Sequence, residues 1–350
     1  MNTHTRPFAA TTLIATALAL AGCAPDGPSP IGAGAASTRA CVILPDTATA
    51  RWEQDDAPAI TRSISDAGFT VDLRNAGGAT GNYELLGEEL LGGGCGVMIL
   101  ADFDGAAVSV ASKAREQGVP VIAYDRPISD YLVAFDLDNI GRLEAESVVD
   151  GLRSAGKDPA TSTVYFVGGD PSDTSSASVR ASAAAVLIAA GVETSSSFDG
   201  SGDPQDTAHR FAQQLDAKGG RIDAAWVMND TDAQGVVQVL DARGITVPVS
   251  GQGATAESLR NVLRGTQTTT IAKDYRAEAR AAAVIAIGLL FGNDLDPETD
   301  GFTLDGVPYT KVPVERIGQG QLRQAVLDGL VRADVLCAGA ESACASLGIG

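Results

Sequence analysis

Short apolar runs alternate with longer segments of helical periodicity along most of the chain. The short runs are rich in β-branched and aromatic residues, as buried strands are. The predicted strands are Cys41–Leu44, Thr70–Leu73, Val97–Leu100, Val121–Tyr124, Leu132–Phe135, Val164–Val167, Ala224–Met228, Val247–Ser250 and Thr268–Ala272. The predicted helices include Ala106–Gln117, Asn139–Ala155, Ser175–Ala190, Pro204–Ala217, Asp232–Arg243 and Tyr275–Phe291. This alternation predicts an α/β fold with parallel sheets covered on both faces, and its two successive blocks predict two doubly wound lobes.

The N-terminus carries an export signal. An uncharged apolar run over residues 8–21 follows Arg6 and ends in Leu20-Ala21-Gly22-Cys23. The run is too short to span a bilayer, and small residues stand at the cleavage position. The pattern resembles the lipobox of bacterial lipoproteins, which implies that Cys23 is the first mature residue and is acylated. The alternative is a plain cleavable signal with an incidental cysteine. We therefore expect a signal peptide over residues 1–22 and a flexible tether, rich in Pro, Gly, Ala and Ser, over 23–38.

Composition and charge exclude several classes of function. The chain has 44 acidic and 25 basic residues, a net charge of −19, and no cluster of Lys and Arg that would follow a phosphate backbone. We expect no nucleic-acid partner. His209 is the only histidine of the mature chain and no Cys-x-x-Cys occurs, so a metal site is disfavoured. The glycines at 92–94 and 251–253 lack the full dinucleotide fingerprint, and no cofactor is expected.

Four cysteines remain once Cys23 is assigned to lipid, and an exported domain lies in a compartment where disulfides persist. Cys337 and Cys344 flank a short loop near the C-terminus. Cys41 and Cys95 each stand at the start of an apolar run. These two pairings are favoured, although the sequence leaves three connectivities open.

Polar side chains follow the predicted strands, where open α/β sheets bind their ligands. In the first block they are Asp46, Arg51-Trp52, Asp102-Phe103-Asp104 and Asp125-Arg126, and in the second Asp173, Arg180, Asn229-Asp230, Gln252 and Lys273. Asp, Asn and Arg form paired or charge-assisted hydrogen bonds with sugar hydroxyls, and an aromatic ring covers the apolar face of a sugar. The rim chemistry therefore predicts a monosaccharide site.

A set of motifs in a fixed order carries a family resemblance. The segments are Arg51–Asp55, Ala123–Arg126, Phe135-Asp136, Gly168–Asp173, Asn229-Asp230, Ser250–Gln252 and Gly265–Thr268. Together they resemble the periplasmic sugar-binding proteins of ABC transporters, and among these most closely the D-xylose-binding proteins. The resemblance implies two Rossmann-like lobes of the periplasmic binding protein type I fold, joined by a three-segment hinge, with the sugar bound between them. It implies ligand contacts at Arg51, Trp52, Phe103, Asp125, Arg126, Asp136, Asp173, Asn229 and Lys273.

The same resemblance suggests domain boundaries. The N-terminal lobe is expected over residues 39–136 plus 274–300, and the C-terminal lobe over 137–273 plus 301–336. Residues 337–350 are expected to form a C-terminal tail with a disulfide.

Three departures leave the identity of the sugar open. Gly253 stands where xylose-binding relatives have an Asp after Ser-Gly-Gln, and Ser175 stands where they tend to have Asn. Near the expected second-lobe Trp, the chain offers only Phe198, with Asp199 or Asp203 as substitutes. Another pentose, a different aldose and a modified sugar all remain candidates.

Structural roles compete with ligand contact at several positions. Trp52 would serve equally as a lobe-packing aromatic residue, and Asp125 with Arg126 as a hinge salt bridge. Asp230 is also a preferred N-cap residue, and Asp136 suits a turn at an interlobe crossing. Lys273 favours ligand binding, because an amine at the end of an apolar strand is costly to bury without an acceptor.

These observations predict a monomeric solute-binding lipoprotein, lipid-anchored outside the cytoplasm, that closes its lobes on a monosaccharide and delivers it to an ABC permease. One alternative is a sugar sensor that feeds a signalling partner without transport. A glycoside-processing enzyme is a further alternative, but His209 lies inside a predicted helix, away from any strand end. Catalysis is therefore not expected.

Overall fold

The strands pair into sheets that follow the predicted α/β pattern. The computed structural model describes residues 37–128, 131–169, 175–293 and 306–350, together with Met1, Pro171 and the backbone of Thr303–Leu304. Its strands are β1 Arg39–Leu44, β2 Thr70–Asn75, β3 Val97–Leu100, β4 Val121–Tyr124, β5 Tyr131–Phe135, β6 Val164–Gly168, β7 Thr194–Asp199, β8 Ala224–Val227, β9 Thr270–Lys273, β10 Thr303–Leu304, β11 Val307–Val312 and β12 Val314–Ile317.

The helices lie between the strands and after the last of them. They are α1 Ala57–Asp66, α2 Thr80–Gly92, α3 Ala106–Glu116, α4 Leu137–Ser154, α5 Ser176–Ala189, α6 Pro204–Ala217, α7 Asp230–Ala242, α8 Ala256–Arg264, α9 Tyr275–Leu290, α10 Leu322–Leu327, α11 Ala333–Cys337 and α12 Glu341–Ser346. A π-helical turn covers Trp52–Asp56, and 3₁₀ turns cover Pro159–Thr161 and Gln319–Gln321. None of the helices in the described ranges has the length and apolar character needed to cross a bilayer.

The first lobe is built on a sheet with the strand order β10-β11-β5-β4-β3-β1-β2. Its strands are parallel except for β10, which is antiparallel to β11. Nearly every residue of β1, β3, β4 and β5 is buried, as expected for strands covered on both faces. Helices α1 and α9 pack together, as do α2 and α3. They belong to two separate apolar clusters on the sheet.

The second lobe repeats this plan. Strands β7, β6 and β8 form a parallel sheet, which single bridges from Ala225 to Val249 and from Gln252 to Ile271 continue to β9 and its antiparallel partner β12. Helices α4 and α5 pack together, and so do α6 and α7. The two lobes confirm the predicted fold class.

Three segments pass between the lobes. The first joins β5 to α4 at Asp136, and the second joins β9 to α9 at Asp274. The third joins β11 to β12 at Pro313. Because β11 pairs with β5, residues 307–312 extend the first sheet, whereas the sequence-based boundary at residue 301 places them in the C-terminal lobe. That boundary is wrong because strand pairing, which the local pattern does not reveal, decides which lobe an edge strand joins.

The C-terminal residues pack against the second lobe. Helices α11 and α12 contact α8, and Leu336 and Ile349 are buried in one apolar cluster with Leu259. Both favoured disulfides are present. Cys41–Cys95 joins β1 to the segment just before β3, and Cys337–Cys344 joins α11 to α12. The predicted tail of residues 337–350 is therefore a packed and cross-linked element.

Candidate functional site

Asp125 and Arg126 lie at the carboxyl end of β4, at the rim of the first lobe. Asp125 has a φ of +65°, a left-handed conformation that is uncommon for a residue with a side chain. The side chain of Arg126 donates from Nη1 to the Asp102 carbonyl at 2.7 Å, and its Nε lies 3.8 Å from Asp125 Oδ2. The second oxygen of Asp125 is therefore in an ion pair but outside hydrogen-bond distance. Both side chains are partly exposed, 17% for Asp125 and 26% for Arg126, so each retains capacity for a ligand.

Arg51 is held by three carboxyl groups. It donates to both oxygens of Asp56 at 2.8 and 2.9 Å, to Asp125 Oδ1 at 2.8 Å and to Glu278 Oε2 at 2.5 Å. Its guanidinium carbon lies 4.0 Å from the Tyr275 ring centroid. Four of its five N–H groups thus have internal partners. Arg51 therefore holds Asp125 in place at the rim.

Burial dominates the electrostatics of this network. It raises the pKa of Glu278 well above its ordinary value, and repulsion by Asp125 adds to the effect against the attraction of Arg51. Burial also raises the pKa of Asp56 despite its bonds to Arg51. Asp125 behaves differently, because Arg51, Lys273 and Arg126 together outweigh burial and lower its pKa. The pKa of the rim carboxyl is therefore lowered, while the pKa of the buried Glu278 in the same network is raised.

Trp52 packs inside the first lobe. Its ring is 1% exposed, meets Tyr124 edge to face, and donates from Nε1 to Asp46 Oδ2 at 3.2 Å. Arg51 covers the ring at 4.3 Å from its centroid. These contacts match the lobe-packing alternative more closely than an open platform for a sugar.

Asn229 and Asp230, at the carboxyl end of β8, have different structural roles. Asn229 caps α7, because its Oδ1 accepts from the Asp232 amide at 2.8 Å. Asp230 is buried and accepts from the Thr255 amide and from Thr270 Oγ1, each at 2.8 Å. Asp230 therefore neither caps the helix through its side chain nor reaches the rim, but holds the loop before α8. Asn229 is half-buried and keeps one amide hydrogen for another acceptor.

Lys273 ends β9 at the crossing to the first lobe. Its Nζ lies 5.5 Å from the centroid of the Phe135 ring, and its charge lowers the pKa of Asp125. The charge of Lys273, which ends a strand of the second lobe, thus acts on the Asp125 carboxylate of the first lobe. Lys273 makes no hydrogen bond with its side chain to any described residue.

Lys273 also borders a cavity of about 710 Å³ between the crossings. The cavity is further lined by Gly253, Tyr275 and Arg276, by residues 313–315 and by Ile317. Among the described residues, the other predicted ligand contacts do not line it.

The remaining predicted residues fall outside this group. Phe103 is half-buried against the cluster that contains α2 and α3. Asp136 caps α4 and forms an ion pair with Lys311 at 3.1 Å, as the crossing alternative expects. Asp173 and the lipidation candidate Cys23 lie outside the described residues.

Sequence reasoning missed the inner carboxyl groups of the Arg51 network. Asp56 is the last residue of the π-helical turn, and Glu278 lies in the first turn of α9, four residues after the crossing residue Asp274. Neither follows a strand, so the rule that selected the rim residues could not find them. The one available signal is a pair of acidic residues on otherwise buried helical faces.

Comparison with known proteins places the chain among related sequences and structures. A family model described as the periplasmic binding protein domain matches residues 40–294. The chain is 28% identical over 284 residues to the D-xylose-binding periplasmic protein of Escherichia coli, covering 77% of this chain and 82% of the relative. It is 31% identical over 327 residues to the multiple sugar-binding periplasmic receptor ChvE of Rhizobium radiobacter, covering 84% and 91%.

A solved structure shares the fold. An ABC transporter solute binding protein from Clostridium phytofermentans, determined with bound β-D-glucose, superposes with a TM-score of 0.72 at 23% identity, covering 85% of this chain and 99% of that one. At this identity the likeness concerns the fold.

Proposed function

Because the chain belongs to the periplasmic binding protein family, we propose that it is an extracytoplasmic solute-binding lipoprotein that captures a monosaccharide and delivers it to an ABC permease. The ligand is a xylose-like pentose or a related aldose. The observation that carries the proposal is that the ion-paired Asp125 and Arg126 follow a strand of one lobe, while Lys273 ends a strand of the other lobe and lowers the pKa of Asp125 by its charge. The names of the relatives, which include a D-xylose-binding protein and a multiple sugar-binding receptor, support a sugar as the ligand.

The charged rim groups would provide the specific contacts. Asp125 Oδ2 accepts a hydrogen bond from a sugar hydroxyl. The remaining N–H groups of Arg126 donate to ring or hydroxyl oxygens. Asn229 and Lys273 add donors from the second lobe. Arg51 acts through Asp125, and Trp52 lies beneath it as support for the rim.

The proposal assigns smaller roles to the other predicted residues. Phe103 borders the first-lobe rim, and Asp136 serves the first crossing. Asp173 remains a proposed contact from the segment between β6 and α5. Cys23 remains the proposed lipid anchor, supported by the resemblance of Leu20-Ala21-Gly22-Cys23 to a lipobox.

Capture would proceed by closure of the lobes. A ligand that binds Asp125 and Arg126 gains further hydrogen bonds from Asn229 and Lys273 only when the lobes meet, so binding shifts the population toward the closed form. A permease would then recognise that closed shape.

A calorimetric screen tests the function. D-Xylose, D-ribose, D-glucose and myo-inositol are titrated into the purified full-length chain, with sucrose as a disaccharide control. We expect at least one monosaccharide to bind in a one-to-one complex, with little heat from sucrose. No binding across a broad panel of monosaccharides would contradict the proposal.

A sensor is the second candidate, favoured by the relative that is named a receptor. It uses the same site and differs in the partner of the closed form. Genes for a permease and an ATPase beside this one support transport, whereas an adjacent sensor kinase gene without them supports sensing.

A further inference from the structure

The C-terminal part of α9 is apolar on its exposed side as well as on its buried side. Residues 281–291 contain no charged or polar side chain. Val284 is nevertheless 66% exposed, and Phe291, the residue after the helix, is 68% exposed. Residues seven positions apart lie on one side of a helix, and Ile287 between them is half-buried. The side of a surface helix that faces water is normally polar, so solvation does not explain this sequence.

Phe69 extends this apolar surface beyond the helix. Its ring meets the Phe291 ring edge to face, with the two centroids 4.8 Å apart. Phe69 is half-buried and directly precedes β2. We call the side of α9 from Val284 to Phe291, together with Phe69, the α9 face. Contiguous exposed apolar surface marks a site where a protein meets another protein or a membrane.

The chain enters the first sheet beside the α9 face. The Thr38 carbonyl accepts a hydrogen bond at 3.0 Å from the first amide of β2, the strand that Phe69 precedes. A Cβ built on Gly96 would lie 2.2 Å from the Ser37 carbonyl oxygen and 2.7 Å from Leu290 Cδ2. Ser37 and Leu290 therefore border the same small gap. The entry point of the chain is thus next to both the helical and the strand side of the α9 face.

The length of chain before this entry point argues for lipid as the occupant of the α9 face. Residues 24–36 separate Ser37 from Cys23, the proposed lipid anchor. As the flexible tether that its composition predicts, this segment would span about 20 Å on average. An anchored chain therefore keeps the surface around Ser37 at a high local concentration of lipid. The tether does not raise the local concentration of a second copy in this way.

We propose that the α9 face rests on the surface of the bilayer in which Cys23 is anchored. This inference rests on the lipid anchor of the proposed function. Val284 and Phe291 enter the boundary between headgroups and acyl chains, where surface-bound helices place their apolar side chains. So few side chains bind lipid weakly, and the face therefore orients the tethered protein without holding it at the membrane alone. The net charge of −19 disfavours anionic lipid, so a neutral phospholipid is the matching surface.

Quenching of tryptophan fluorescence by brominated lipid tests this contact. The full-length chain is purified from membranes and reconstituted into phosphatidylcholine vesicles, with or without bromine on the acyl chains. Phe291→Trp places an indole on the α9 face. The parent protein gives the background from Trp52 and Trp226, which are 1% and 0% exposed. Because interfacial side chains lie about 5–10 Å into the boundary region, bromine near the start of the acyl chains should remove about half or more of the added emission.

Two further variants separate the α9 face from other exposed positions. Ile188→Trp is the matched control, because Ile188 is 71% exposed on α5 of the second lobe. Its emission should be the same in both kinds of vesicle. Val284→Trp leaves Phe291 native and should be quenched. Adding Phe291→Asp to Val284→Trp should restore the emission, because a charged side chain is costly to place in the apolar boundary.

The outcomes distinguish lipid from a second copy and from a failed anchor. Equal emission of Phe291→Trp in the two kinds of vesicle would overturn the proposal, as would equal quenching of Ile188→Trp. If sedimentation of the Cys23→Ser protein shows a dimer that Phe291→Asp dissociates, the face belongs to a second copy and the proposal is wrong. If the protein carries no lipid, the proposed anchor fails. An N-terminal histidine tag on nickel-chelating lipid then holds the chain at the same vesicles, and quenching still decides the role of the face.

Discussion

Arg126 is the residue whose removal should most directly weaken ligand binding. Its side chain makes one hydrogen bond with a described residue, to the Asp102 carbonyl, and its Nε lies 3.8 Å from Asp125 Oδ2. We expect Arg126→Ala to weaken sugar binding by about tenfold or more, as the loss of a charged hydrogen bond worth about 1.5–3 kcal/mol requires. Calorimetry measures the change. Arg153→Ala, on the exposed face of α4, is the matched control, and an unchanged Kd in Arg126→Ala would remove Arg126 from the site.

Glu278 makes stability depend on pH. Burial raises the pKa of Glu278 in the folded protein. Its contribution to the free energy of unfolding is therefore fully present below the pKa of the unfolded state and is lost as pH rises through the pKa of the folded state. We expect the free energy of unfolding of the parent protein to fall as pH rises from the ordinary pKa of a glutamate to the raised pKa of Glu278 in the folded state. Glu278→Gln, which keeps an oxygen acceptor for Arg51, should make the decline shallower. Urea unfolding at several pH values checks this, and parallel curves for the two proteins would contradict it.

Residue type predicted the chemistry of the rim better than it predicted which of these side chains are buried. Asp125, Arg126, Asn229 and Lys273 stand where the strand-end rule places them. The rule cannot distinguish Asn229 from Asp230, although one half-buried side chain caps a helix and the other is buried under a loop. That difference depends on Thr255 and Thr270, which are distant in sequence.

At the scale of elements, the buried strands and the edge strand β2 were predictable, whereas the polar edge strand β7 was not. The runs that became β3, β4 and β8 are apolar throughout because helices cover both faces. Strand β7, with the sequence Thr-Ser-Ser-Ser-Phe-Asp, is polar because it lies at an edge of its sheet. The predicted strand at 247–250 is reduced to one bridge at Val249, because Pro248 has no N–H to donate.

The two disulfides should differ in their contribution to stability. Cys41–Cys95 closes a loop of 54 residues and Cys337–Cys344 one of 7. Loop-closure entropy predicts about 4 kcal/mol for the first and about 2 kcal/mol for the second. Denaturant unfolding of the Cys41→Ala/Cys95→Ala and Cys337→Ala/Cys344→Ala proteins measures both. Equal losses in the two proteins would show that loop length does not set the difference.

At the scale of the whole molecule, the proposed lipid anchor determines where the protein is located but does not affect its sugar binding. Several acyl chains on Cys23 would hold the protein at a membrane, each contributing about 0.8 kcal/mol per buried CH₂ group. We expect Cys23→Ser to move the protein into the soluble fraction while its sugar affinity stays unchanged. Membrane fractionation followed by calorimetry checks both. Continued membrane association of the variant would remove the lipoprotein assignment.

In lobe closure, the two lobes contribute different contacts to the same binding event. A ligand held by Asp125 and Arg126 alone should bind weakly and leave the lobes apart, whereas Lys273 supplies its contact from the opposite lobe. Lys273→Met should therefore weaken binding and also abolish the ligand-induced decrease in radius of gyration, measured by X-ray scattering at a sugar concentration that saturates the variant. Lys157→Met, which removes a surface lysine paired with Asp223 in the same lobe, should retain full closure. Arg126→Ala, once saturated, should still close, because its missing contact lies on the first lobe. If saturated Lys273→Met contracts as the parent protein does, closure does not depend on this crossing, and the second lobe must grip the ligand through Asn229 and its neighbours instead.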